Sequence, residues 1–265
     1  MNINEYIKID DSEKPLDRLA INGGFVSIFR VMCCIGDSLS SGEFELRDKD
    51  GKISYLDTFE YSWGQYIARS AGIKVYNFSR GGMTAKEYME SFSNDNNMWD
   101  ERIIESQAFT IALGLNDLFG QKQEFGSTKD INLSDYSKNA KTFTGYYAQI
   151  IQKIQTLNPK AKIFLIGMPK DNNESEDKTR QKVRGLLNEF THIFKNTYLL
   201  DLYTYAPTMD ADYKKRFFLA GHLNPMGYIV SARTIESYID YIIRHNPSDF
   251  KEVMWIGTDK EYHYE

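Results

Sequence analysis

Five short apolar runs recur along the chain, at residues 28–35, 74–78, 109–114, 162–167 and 198–202, and the stretches between them are long enough to hold helices. Runs this short and continuous read as strands buried on both faces rather than as amphipathic helices. Parallel neighbours cannot be joined by a tight turn and need a crossover, usually a helix. The alternation therefore predicts an α/β fold, a three-layer α/β/α sandwich around a five-stranded parallel sheet.

The crossovers carry helical marks of their own. Phe59, Trp63, Tyr66 and Ile67 recur at spacings of three and four before Gly72, a residue suited to a helix C-cap. Residues 135–157 place Phe143, Tyr147, Ile150, Ile151 and Ile154 on one face, and Asn158-Pro159 stops the pattern. A helix is expected to begin near Ala85, and another to follow a charged stretch at 171–180 and run to about Lys195. Asn224-Pro225 supplies an N-cap and a first helical residue for a last helix through Ile235, Ile239 and Ile243. The expected organisation is one domain with its core at about 28–244. A packed N-terminal extension covers 1–27 and a tail covers 245–265, with 40–57 as a charged loop and 119–134 as a polar insertion.

Charge and cysteine usage remove several function classes. A formal net charge of -5, with no long Lys/Arg cluster, does not provide the basic surface that a phosphate backbone requires, so no nucleic-acid partner is expected. Cys33 and Cys34 are adjacent within a proposed strand and point to opposite faces, which fits a buried reduced pair and not a disulfide. No Cys or His lies at metal-ligand spacing and no Gly-x-Gly-x-x-Gly follows the first strand, so neither a metal nor a cofactor is expected. No uncharged apolar run is long enough to cross a bilayer, and the N-terminus lacks a basic segment followed by an apolar one. A cytoplasmic protein is the expectation.

In open α/β sheets, ligands gather at the carboxyl ends of the strands. Three of the runs end there in polar or glycine-rich turns: Gly36-Asp37-Ser38, Gly81-Gly82, and Gly114-Leu115-Asn116-Asp117. A fourth stretch, Gly221-His222-Leu223-Asn224-Pro225, precedes the last helix. Taken alone, Gly36-Asp37-Ser38 is a turn that caps a helix. Taken together, the four stretches hold what acyl transfer requires: a nucleophile in Ser38, a base in His222, and oxyanion donors in the Ser38 and Gly82 N–H groups and the Asn116 amide. Glycine lets a carbonyl oxygen approach its N–H, and an amide donates without titrating.

These stretches resemble, in order, four blocks of the SGNH, or GDSL, hydrolase family. Gly36-Asp37-Ser38-Leu39-Ser40 matches the block of the nucleophile and residues 77–84 the glycine block. Gly114-Leu115-Asn116-Asp117 matches the asparagine block, and residues 222–228 the histidine block. The resemblance implies a flavodoxin-like sheet and a serine esterase acting through an acyl-enzyme on Ser38. It implies a small-molecule or carbohydrate ester as substrate, with a short acyl group such as an O-acetyl. The family's usual Asp three residues before the histidine is here Leu219.

Loss of the acid from a Ser-His-Asp triad costs on the order of 10⁴ in kcat. The gap leaves three outcomes: a backbone carbonyl orients His222, a carboxylate from elsewhere does so, or the protein is weak or inactive and merely binds an acylated sugar. Asp201, Asp210, Asp212, Glu43 and Glu45 are the carboxylates that could reach the cleft. Asp37 and Asp117 are expected to hold turns and Arg80 to form a salt bridge, while His192, His245 and His263 have no partner motif. A third reading, a flavodoxin-like phosphate binder, would need a phosphate-cradling loop that the sequence does not contain.

Overall fold

A computed structural model of the chain describes residues 3–7, 10 and 12–264. Five parallel strands form the central sheet: β1 (Val31–Gly36), β4 (Lys74–Ser79), β5 (Ala108–Ala112), β6 (Lys162–Ile166) and β7 (Thr197–Leu200). A hairpin of β2 (Glu43–Arg47) and β3 (Ile53–Asp57) separates the first two of these, and a second hairpin, β8 (Phe218–Leu219) with β9 (His222–Leu223), follows the last. The sheet order is β4-β1-β5-β6-β7, with every pair in it parallel. This is the flavodoxin-like order, in which the chain reverses direction across the sheet at its first strand.

Both faces of the sheet are covered. Cys33, Ile35, Phe109 and Ile111 pack on one side with the helix Phe143–Leu157, and Met32, Cys34 and Phe164 on the other with the helices Trp63–Ala71 and Pro225–His245. The adjacent thiols are buried and free and fall in opposite layers, as strand alternation requires. Buried Tyr147 shows how one layer closes: its ring lies 5.6 Å from Phe143 and 5.7 Å from Phe190, and its hydroxyl donates to the Ile111 carbonyl at 3.1 Å. A buried phenol needs such an acceptor.

Helix ends follow the residues that signalled them. Ser62 accepts from the Gln65 N–H, and Gly72 adopts a left-handed conformation (φ 67°) as C-cap. Asn224 accepts from the Gly227 N–H at 2.9 Å, with Pro225 the first helical residue.

Several boundaries differ from the sequence expectation. The first strand starts at Val31 and not at 28, because Gly24–Ile28 forms a 3-10 turn that seats Val26 in the core. The helix expected from 135 starts at Phe143, where Thr142 accepts from the Gly145 N–H. The charged stretch 171–180 lies largely inside the helix Glu174–Ile193, whose acidic first turn suits the positive end of a helix. The last strand of the sheet ends at Leu200 because Asp201 caps the next helix.

The largest departure is at 40–57. Glu43–Arg47 and Ile53–Asp57 pair antiparallel across a turn at Gly51 (φ 81°), so the expected charged loop is mostly a hairpin. Alternation of Phe44 and Leu46 with Glu43, Glu45 and Arg47 was its signal, obscured by charge.

Candidate active site

Ser38 opens a one-turn helix, Ser38–Ser41, directly after β1. Asp37 caps it, its side chain accepting from the Leu39 N–H at 3.1 Å and its carbonyl from the Ser40 and Ser41 N–H groups, each at 3.0 Å. Gly36 must be glycine, since a Cβ there would run into Ser40 Oγ. Asp37 is fully buried, and burial pushes its carboxyl up to about 7, with the nearby Asp117 and Glu43 charges adding to the rise against the Leu39 hydrogen bond.

The turn after β4 lies against that after β1, the Arg80 N–H reaching the Gly36 carbonyl at 3.4 Å. Gly82 is left-handed (φ 71°), with open space where a Cβ would be. Among the described residues no acceptor takes its N–H, nor that of Ser38. After β5, Asn116 begins a wide turn, Asn116–Gly120, and its Nδ2 donates to the Met83 carbonyl at 3.2 Å. Buried Asp117 accepts from the Ala85 N–H at 2.8 Å, and its carboxyl is raised to about 6 by burial. Ser38, Gly82 and Asn116 thus lie in the turns that follow the adjacent strands β1, β4 and β5, at the point where the sheet order reverses.

His222 opens β9. The tight hairpin before it, with Ala220 at φ 52°, pairs Leu219 directly opposite His222. Its ring lies 5.5 Å from that of Tyr55, edge-on. Glu43 Oε1 is 3.0 Å from His222 Nε2, and Glu45 Oε2 is 3.8 Å from Nδ1. Burial raises the Glu43 carboxyl, with the His222 charge pulling it down and the Asp57 charge pushing it up. Among the described residues no hydrogen bond joins Ser38 Oγ to the imidazole, and Nδ1 is buried without a hydrogen-bond partner.

The other carboxylates considered for this cleft are engaged elsewhere. Asp201 and Asp210 cap helices, Asp201 also pairs with Arg184 at 2.7 Å, and Asp212 pairs with Arg216 at 3.0 Å. Arg80 pairs with Glu87 at 2.5 Å. His245 bonds its own helix through the Tyr241 carbonyl, and His192 and His263 are exposed. Among the described residues no group of three or more His, Cys, Asp or Glu side chains could hold a metal ion, and no helix is long and apolar enough to cross a membrane.

A cavity of about 100 Å³ adjoins the site. Leu39, Leu115 and Leu223, the chain neighbours of Ser38, Asn116 and His222, all line it, together with Met168, Ala206 and Met209.

Residues 34–230 match the GDSL-like lipase/acylhydrolase family. Among solved structures, the chain is similar to a family two carbohydrate esterase from Clostridium thermocellum in complex with cellohexaose. That match has 16% identity and a TM-score of 0.53, covering 89% of this chain and 66% of that one. It is also similar to the family 3 carbohydrate esterase of Clostridium thermocellum, at 16% identity and a TM-score of 0.50, covering 82% of this chain and 98% of that one. A carbohydrate acetylesterase from Sinorhizobium meliloti has 13% identity and a TM-score of 0.50, covering 80% of this chain and 99% of that one. No curated protein sequence matches the chain.

Proposed function

We propose that this chain, a member of the GDSL-like lipase/acylhydrolase family, removes a short acyl group, such as an O-acetyl on a carbohydrate, through an acyl-enzyme on Ser38. The observation that carries this reading is the meeting of three turns at one end of the sheet: Ser38 after β1, Gly82 after β4 and Asn116 after β5. The Ser38 and Gly82 N–H groups, free of other acceptors among the described residues, and the Asn116 amide are the donors for an oxyanion.

His222 takes the Ser38 hydroxyl proton as Oγ bonds to the ester carbon. The carbonyl oxygen becomes an oxyanion held by the three donors. Its collapse breaks the bond to the alcohol oxygen, which leaves with the proton from His222. Water, deprotonated by His222 in turn, attacks the acyl-enzyme, and Ser38 recovers its proton as the acid departs. No cofactor enters this sequence. The small apolar cavity beside the site favours a short acyl group: about 100 Å³ is less than the roughly 150 Å³ that holds a benzene ring. The likeness of the fold to carbohydrate esterases supports a carbohydrate as the alcohol part of the ester.

A second reading, an SGNH-fold protein that binds an acylated sugar without hydrolysing it, is favoured by Leu219 standing where the family carries an acid. A fluorophosphonate probe and p-nitrophenyl acetate separate the two. Labelling and hydrolysis that both vanish in Ser38→Ala support the esterase. A wild-type protein that is neither labelled nor active leaves the binding reading in place.

A further inference from the structure

We propose that Glu43 and Glu45, from the hairpin strand β2, form a carboxylate pair that positions His222 and takes the place of the absent aspartate. The inference rests on Ser38 acting through His222.

The arm that carries the histidine cannot supply the acid. Leu219 lies opposite His222 in the β8–β9 ladder and is an apolar side chain, 48% exposed. Strand β2 supplies two acids. The two-residue period of a strand puts Glu43 and Glu45 on one face, and that face meets the imidazole at 3.0 Å from Nε2 and 3.8 Å from Nδ1.

Both carboxylates are held in place by chain from other parts of the molecule. Gly81 has no side chain where Glu43 Oε2 sits, and a Cβ there would collide with it. The Gly221 N–H donates to Glu45 Oε2 at 3.0 Å. The Tyr228 hydroxyl donates to the Glu43 carbonyl at 2.7 Å and so fixes the start of the strand.

Their setting is costly unless the imidazole uses it. The side chains are only 13% and 9% exposed, and among the described residues neither meets a lysine or arginine. Two buried carboxylates without a cation are unfavourable, and a third acid, Asp57, faces Glu43 from β3. The charge that balances them is the imidazolium formed when His222 accepts the Ser38 proton. Glu43, 3.0 Å from Nε2, keeps the proton on that nitrogen and leaves Nδ1, which has no hydrogen-bond partner among the described residues and lies 3.8 Å from Glu45 Oε2, its lone pair, the state a general base needs.

The test compares wild type, E43Q/E45Q and E43D/E45D in hydrolysis of p-nitrophenyl acetate across pH, with thermal melting as the check on folding. The groups facing the imidazole are Glu43, Glu45 and Tyr55, with Asp37, Asp57 and Tyr228 around Glu43. In E43Q/E45Q, kcat should fall by roughly 10²–10⁴, the range up to full loss of a triad acid, while KM changes little. E43D/E45D, which keeps both charges, should recover at least part of the rate.

An E43Q/E45Q protein with wild-type kcat overturns the proposal, as does an Asp pair no better than the Gln pair. Should the double Gln variant not fold, E43Q and E45Q singly carry the same test, and two unaffected profiles overturn it. A wild type that hydrolyses no ester overturns both this inference and the esterase reading, whereas an active wild type with an insensitive Gln pair overturns this inference alone.

Discussion

The Asp117 carboxylate accepts the Ala85 N–H at 2.8 Å and so ties the turn after β5 to the helix start that follows Gly82. Its neighbour Asn116 is drawn the same way, with Nδ2 on the Met83 carbonyl. The bond thereby fixes the spacing between two groups assigned to the oxyanion. Replacing Asn116 by Ala removes one donor and should lower kcat by roughly 10²–10³ with KM little changed. Steady-state kinetics on p-nitrophenyl acetate check this; an unaltered kcat takes Asn116 out of the mechanism.

Asp37 makes stability depend on pH. Its carboxyl lies at about 7 in the fold against an ordinary value of 3.8, so between those limits the folded chain keeps a proton that the unfolded chain releases. Stability therefore falls as pH rises through that window and levels above it. At 1.36 kcal/mol per pH unit, the full effect is about 4 kcal/mol. Asp37→Asn imitates the protonated state and keeps an acceptor for Leu39. Denaturant melts at pH 4 and pH 8 should show the variant equal to wild type at the lower pH and more stable at the higher. Parallel pH profiles would exclude this role for Asp37.

The cavity beside the site sets an expectation for acyl length. Ala206 lines it, and Ala206→Phe puts a ring into the space. For butyrate relative to acetate esters of p-nitrophenol, kcat/KM should drop by roughly 10- to 200-fold, the scale of discrimination a hydrophobic pocket achieves. An unchanged ratio means that the acyl chain goes elsewhere.

Far from the chemistry, Asn158 Nδ2 donates to the carbonyls of Ile103 and Ile104, each at 3.0 Å, and of Ser106 at 2.8 Å. Asn158→Ala leaves these groups without that donor and should cost roughly 2–4 kcal/mol of stability, read as a shift in the urea midpoint. Because the residue lies at the amino ends of β5 and β6, kcat should hold.

Some of the molecule was legible locally. Gly72 and Asn224-Pro225 mark helix ends because cap chemistry is satisfied within a few residues. Helix starts were less legible where tertiary contacts choose them: Phe143 begins its helix because its own N–H and that of Thr144 are taken by the carbonyls of Glu124 and Phe125. The exposed strand β3 was missed for the opposite reason, since burial on one face is what creates a readable alternation and β3 is exposed throughout.

The sequence by itself determined the parallel α/β sheet and the four turns that carry Ser38, Gly82, Asn116 and His222. Both follow from short-range rules, the length of apolar runs and the turn-forming habits of Gly, Asp, Asn and Ser. Only the tertiary structure decided what stands beside His222. The Gly221 N–H and the Glu45 carboxylate meet although 176 residues separate them, and β2 reaches β9 only because the hairpin folds back over the end of the sheet. A carboxylate's partner across such a span leaves no trace in local pattern, because a glutamate on an exposed-looking, charged segment reads the same whether it faces water or an imidazole.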